Sequence, residues 1–360
     1  MGFSKQSVRL RSLDAFRGIT IAGMLLVNTE SLSPKSVPWL THAYWNGCPP
    51  ADWVFPFFLF ITGVAMAFSL AKYQQNHKPT RSLYWRLLRR AVLLFALGVA
   101  INGFWTYEWG TFRLMGVLQR IGLAYLATAL IVLNFPRKVQ WGVTALLLIG
   151  YWVAYIAFPI PDPIYKPGEL PPIETFGIMS LFGMMSTIAI VLMGYFTGAW
   201  LYTEAVAKRL YASSQSMKLV LFGLSSMVLG QLWSLWLPLN KKLWTSSYAL
   251  FTVGLALLLL AACYELIEVK GKDRWSKPAQ VLGLNSIFVF IGSELTIKLL
   301  EKIQFFSGNQ IISGYTFLDQ TLFLNWVGVS MAGFLLSLLI LLFWWFIAFC
   351  LYWRNWIIKI

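Results

Sequence analysis

Thr41-His42-Ala43-Tyr44-Trp45-Asn46-Gly47-Cys48-Pro49-Pro50-Ala51-Asp52-Trp53-Val54-Phe55-Pro56-Phe57-Phe58 passes directly from a polar, aromatic loop into an apolar run, residues 52–73. A run of about 20 apolar residues is long enough to cross a bilayer as a helix, and runs of that length recur along the chain. With 58% hydrophobic and only 12% charged residues among 360, and a mean hydropathy of +0.65, a soluble fold is excluded. The expected fold is all-α, a polytopic transmembrane helical bundle. The loop ahead of the run holds one of only two histidines, an asparagine and an aspartate. A chain so poor in polar groups that gathers them at one mouth points to an active site there.

The apolar runs place about 10 transmembrane helices, at roughly 12–29, 52–73, 87–104, 115–134, 139–158, 178–202, 217–237, 246–267, 279–302 and 327–352. Lys and Arg decide the orientation, because positive residues are retained in cytoplasmic loops. Most of the 29 lie in the N-terminal segment and in segments 72–90, 137–138, 208–218, 270–277 and the C-terminal segment. The alternate loops carry only Lys35, Arg113, Lys166, Lys241, Lys242, Lys298 and Lys302. Both termini are therefore expected to be cytoplasmic, with His42 on the far side. The net charge of +15 is accounted for by topology, which leaves no case for nucleic acid as a partner.

Lys5, Arg9 and Arg11 ahead of an apolar core resemble a signal peptide, but Asn28-Thr29-Glu30 offers no small-residue cleavage site. The segment is read as a retained first helix. Three cysteines, of which Cys263 and Cys350 fall in apolar runs, make neither a disulfide framework nor a metal pattern with the histidines. Trp39, Trp45, Trp53, Trp105, Trp109, Trp236 and Trp244 fall near the inferred outer ends of spans, as an interfacial aromatic belt does. A Pro-rich segment at 159–172 joins them. No internal repeat or domain boundary is visible, so residues 1–360 are expected to form one domain, with 303–326 an interfacial or re-entrant piece.

Charges within spans are costly unless paired or hydrated. Asp14 and Arg17 share a helix face and can pair with each other. Arg120, beside Gln119, and Glu294 are charged groups within spans, and are read as implying a polar cavity inside the bundle. An ion or sugar path, as in a permease, or a site for an anionic ligand would each account for such a cavity. Gly194-Tyr195-Phe196-Thr197-Gly198 permits close helix approach, either within the chain or across a homodimer.

Arg11-Ser12-Leu13-Asp14-Ala15-Phe16-Arg17-Gly18, Asn28, His42 to Gly47, and Ala51 to Pro56 occur in an order that resembles the heparan-alpha-glucosaminide N-acetyltransferase family and its bacterial relatives. Pro238-Leu239-Asn240-Lys241-Lys242-Leu243-Trp244-Thr245-Ser246-Ser247-Tyr248, Gly283-Leu284-Asn285-Ser286 and Gly292-Ser293-Glu294 extend the resemblance over essentially the whole chain. It implies a transmembrane acyltransferase of the bacterial inner membrane, in which cytoplasmic acetyl-CoA is the acyl donor and an extracytoplasmic amino sugar of glucosamine type the acceptor. No metal is implied. On the same ground His42 is the catalytic histidine, Asn28 lies near the acetyl group, and Asp52 follows the histidine by ten positions. Arg17, Arg120, Asn46, Asn285 and Ser286 are the expected acetyl-CoA contacts. The animal enzyme's N-terminal lumenal region has no counterpart in this sequence. Ser293 stands where the animal enzyme has histidine, so recognition of a heparan terminus is not carried over.

The chemistry fits the residues independently. An amine attacking a thioester needs a base to take its proton and donors for the developing oxyanion. A histidine with an ordinary pKa of about 6.5 serves at neutral pH, and His42 is the one in the outer loops. Cys48 has no adjacent cation to activate it as a nucleophile. His77 lies in a Lys/Arg-rich loop and reads as a solvated surface residue. The competing reading is an inner-membrane permease for an amino sugar or small sugar, with the His42 loop as outer gate and Arg120 and Glu294 along the path.

Overall fold

A computed structural model describes residues 10–33, 37–74, 78–103, 115–158, 173–206, 213–307 and 310–358. The Pro-rich segment 159–172 lies outside the described residues, as do Trp105, Trp109, His77, Lys35, Arg113 and Lys166. Each of the ten apolar runs contains a helix or a broken pair. In chain order these are α1 (Arg11–Glu30), α2 (Val54–Gln74), α3 (Arg81–Asn102), α4 (Val117–Asn134), α5 (Arg137–Ala157), α6 (Ile173–Val206), α7 (Ser213–Trp233), α8 (Ser246–Tyr264), α9 (Lys277–Leu284) and α10 (Ser286–Lys302). The short α11 (Gly314–Asp319) and α12 (Asn325–Val327) precede α13 (Val329–Trp353). Among the described residues, seven helices are long and apolar enough to cross a membrane, and the α9–α10 pair makes up to eight. The protein is a multi-pass helical membrane protein.

Two features depart from the expected all-α bundle of straight spans. The run at 279–302 is not one helix but α9 and α10, bent by 71° at Asn285. No proline marks the break, although Gly283 lies two residues before it. It is held instead by the Asn285 side chain, which donates to Trp356 O at 3.1 Å and accepts from Ile358 N–H at 2.9 Å, so the amide takes up backbone groups of the C-terminal segment. Within 303–326, β1 (Gln304–Ser307) and β2 (Gln310–Ser313) pair antiparallel, Gln304 opposite Ser313. Phe305 stacks on Phe317 of α11 at 4.5 Å between centroids and ties the hairpin to it.

Glycines set the closest helix contacts. A Cβ at Gly194 or Gly198 of α6 would strike the backbone of Phe60 or Val64 of α2. Gly63 of α2 meets the backbone of Val191 in return. The GxxxG motif is thus used within the chain, between α2 and α6, and its face is not available for a second copy. Gly18 of α1 approaches Ala279 of α9, and Gly283 approaches Asp14, in the same way. These contacts place Asp14 and Arg17 against the helix break, at the end of the bundle opposite His42.

Candidate active site

The 40–53 segment is short, proline-bounded and turned by two 3-10 helices, Pro38–Leu40 and Pro50–Asp52. Proline supplies the fixed φ that starts each one. Gly47, at φ +128°, makes the turn between them in a backbone region open to glycine. The loop is fastened to a second one, residues 238–245 between α7 and α8. Gly47 N–H donates to Leu239 O at 2.8 Å, and the Asn240 amide donates to Asn46 Oδ1 at 3.1 Å. Asn240 is fully buried, and its Oδ1 accepts from Leu243 N–H at 3.0 Å.

His42 and Asp52 meet between these loops. Their Nδ1–Oδ1 separation is 2.7 Å, and Asp52 Oδ2 accepts from Ala43 N–H at 3.2 Å. Asp52 is 1% exposed whereas the His42 side chain is 42% exposed, so the carboxylate is a fixed base under an accessible ring. The tautomer in which Nδ1 donates to the carboxylate is the one that leaves the lone pair on Nε2. Lys241 completes the cluster. Its Nζ is 3.0 Å from Asp52 Oδ1, 3.1 Å from His42 Nδ1 and 3.5 Å from Nε2.

Behind the cluster, Tyr248 of α8, fully buried, donates its hydroxyl to the Asp52 carbonyl at 2.6 Å. Trp244 adopts φ 58°, a left-handed backbone that a bulky residue rarely takes. It is held there by edge contacts with Phe55 at 5.1 Å and Tyr248 at 5.7 Å. Arg120 of α4 lies over the Trp244 ring at 5.2 Å, a cation–π contact that lets a charge be buried beneath the loop. Lys242 lies 5.4 Å from the Tyr44 ring and 5.7 Å from that of Trp45. Burial first, and the Asp52 charge second, push the Cys48 thiol up to about 12, which removes it as a nucleophile at neutral pH.

The other expected site residues are placed elsewhere. Asn28 is not bonded to His42; its amide donates to Glu294 Oε1 of α10, a carboxylate that also has Lys298 one turn further along its own helix. Arg17 sits 3.6 Å from Asp14 Oδ1 and donates to Gly283 O at 3.4 Å. Eleven residues of helix separate Arg17 from Asn28, about 16 Å along α1. Asn46 and Arg120 therefore belong to the His42 end, and Arg17, Asn285 and the buried Ser286 to the other. The five expected donor contacts do not converge on one point. Lys241, Tyr248 and Trp244 were not singled out as site residues from sequence. The signal for them was present in the Pro238–Tyr248 run.

A buried carboxylate, a histidine held against it and a lysine ammonium form a polar cluster at the mouth of a membrane-spanning helical bundle, in a multi-pass membrane protein. The chain belongs to the family described as heparan-alpha-glucosaminide N-acetyltransferase, catalytic, whose model matches residues 9–237. It is 27% identical over 358 residues to the heparan-alpha-glucosaminide N-acetyltransferase of Homo sapiens. Against the protein of the same name from Mus musculus it is 26% identical over 362 residues. Each alignment covers 80% of this chain and 53% of the relative, so the chain spans about half the length of the curated relatives it matches.

Proposed function

We propose that this protein is a transmembrane N-acetyltransferase, a single domain that moves an acetyl group from cytoplasmic acetyl-CoA to an amino sugar of glucosamine type on the other side of a bacterial inner membrane. The observation that carries the reading is the 2.7 Å His42–Asp52 contact with Lys241 beside it. His42 Nε2 takes the proton of the attacking amine, Asp52 holds the ring and stabilises the imidazolium, and Lys241 donates to the oxyanion that forms on the acyl carbon. A permease has no need of a base oriented in this way. Arg17, at the opposite end, is the cation within reach of the donor's phosphates.

The same reading takes ten crossings with both termini cytoplasmic. Positive charges crowd one end of α1 and α3, at Arg11 and Arg17, and at Arg81, Arg86, Arg89 and Arg90, which is where positive-inside retention would put them.

The deciding experiment is acetyl-CoA consumption by the purified protein with glucosamine, in parent and His42→Ala forms. His42→Ala should still be stabilised thermally by acetyl-CoA while turnover falls by about 100-fold or more, the scale of lost general acid–base catalysis. Transfer by His42→Ala at the parent rate would remove His42 from the chemistry. Sugar uptake by parent vesicles without any acetyl transfer would favour the permease.

A further inference from the structure

A separate polar pocket lies between α3, α4 and α10, lined among others by Gly98, Asn102, Gln119, Phe290 and Glu294. Its volume is about 40 Å³. One water needs about 10–15 Å³ on this measure, so the pocket takes a small polar group and not a sugar ring. Gln119 is fully buried, and neither its Oε1 nor its Nε2 has a hydrogen-bond partner among the described residues. Buried amides left in that state are rare, because each unmet group forfeits its solvation. Gly98 and Gly116 make room for that amide at the pocket wall, since a Cβ at either would strike Gln119 Oε1.

Glu294 supplies the charge. Its carboxylate accepts from the Asn28 amide through Oε1, which braces one oxygen and leaves further acceptor capacity. Lys298 follows one turn later on α10. A carboxylate, an amide carbonyl and room for a few small atoms is the chemistry that recognises an ammonium group, with three N–H donors and one positive charge. We infer that this pocket is the binding site for a protonated primary amine, with Glu294 as counter-ion and Gln119 Oε1 as neutral acceptor. That the natural occupant is the amine of the acceptor sugar, held here before it moves to His42 and gives up its proton, rests on the transferase reading; the ammonium chemistry of the pocket does not.

The test is the thermal unfolding of the purified full-length protein in methylammonium chloride against sodium chloride of equal ionic strength, then in glucosamine against N-acetylglucosamine. Methylammonium and glucosamine should stabilise the parent saturably, and N-acetylglucosamine, which has no charged amine, should not. Glu294→Gln keeps an acceptor for Asn28 and should weaken the apparent methylammonium affinity at least about tenfold, the low end for a charge-assisted hydrogen bond. Gln119→Leu should also weaken it while folding at least as well as the parent, since it removes an unmet amide. Absence of saturable stabilisation by methylammonium, or equal affinity in parent and both variants, would overturn the inference. Protection by methylammonium but not glucosamine would uphold the ammonium pocket and exclude the amino sugar as its occupant. None of these readouts needs turnover, so a failure of the transferase reading would appear in acetyl-CoA consumption and not here.

Discussion

Asp52 is the residue on which the His42 mouth depends, because it accepts from His42, from Lys241 and from the Ala43 amide while 1% exposed. Asp52→Asn should lower turnover less than His42→Ala, and the double variant should be little worse than His42→Ala alone, since the two act as a unit; steady-state rates of the three proteins decide this. Lys241→Met should lower kcat while leaving stabilisation by acetyl-CoA unchanged if the ammonium serves the transition state; equal loss in both would make it structural. The His42–Asp52 pair was legible because ten residues of one loop separate its members. Lys241 reaches the same ring from 199 residues away, and Glu294 finds Asn28 across 266. Contacts of that separation leave no periodic trace in a single sequence, so neither the Lys241 contact nor the Asn28–Glu294 bond could be read from spacing.

The helices themselves were legible, since apolar length alone specifies a span. The break at Asn285 was not. Asn285 sits between Leu284 and Ser286 in a largely apolar run, and what makes it a corner is the C-terminal backbone that its amide grips. The hairpin at 304–313 was hidden for a similar reason: Phe305 and Phe306 are adjacent, without the alternation that marks a half-buried strand. Packing at the element scale gives a sharp contrast between two glycines. Gly198→Leu must push α6 away from the Val64 backbone and should cost about 1–3 kcal/mol, the usual range for overpacking. Gly142 of α5 has nothing within 4 Å of a built Cβ, so Gly142→Ala should be neutral or stabilise by up to about 1 kcal/mol. Unfolding midpoints in detergent check both, and a Gly198→Leu protein as stable as the parent would contradict the α2–α6 contact.

At the scale of the whole molecule, orientation is the property that catalysis most needs and that cysteine labelling reads directly. Cys48 is a poor reporter despite its place in the loop, because burial pushes its thiol up to about 12 and leaves little thiolate to react. Tyr44→Cys, at a position 61% exposed, should react readily with an impermeant maleimide added to intact cells. Lys270→Cys, at the other end of the bundle, should react only after lysis. The reverse pattern would invert the topology and the proposed direction of transfer.

The two halves of the His42 mouth are also made at different times. Tyr248 supports the Asp52 carbonyl from 196 residues further along the chain, which at about 5–20 residues per second of synthesis is a delay of roughly 10–40 s. For that interval Asp52 has been delivered to the bilayer surface without the tyrosine and lysine that later enclose it. A nascent chain arrested between α2 and α7 should therefore expose this carboxylate to water, and the loop should become resistant to protease only once α8 has been inserted.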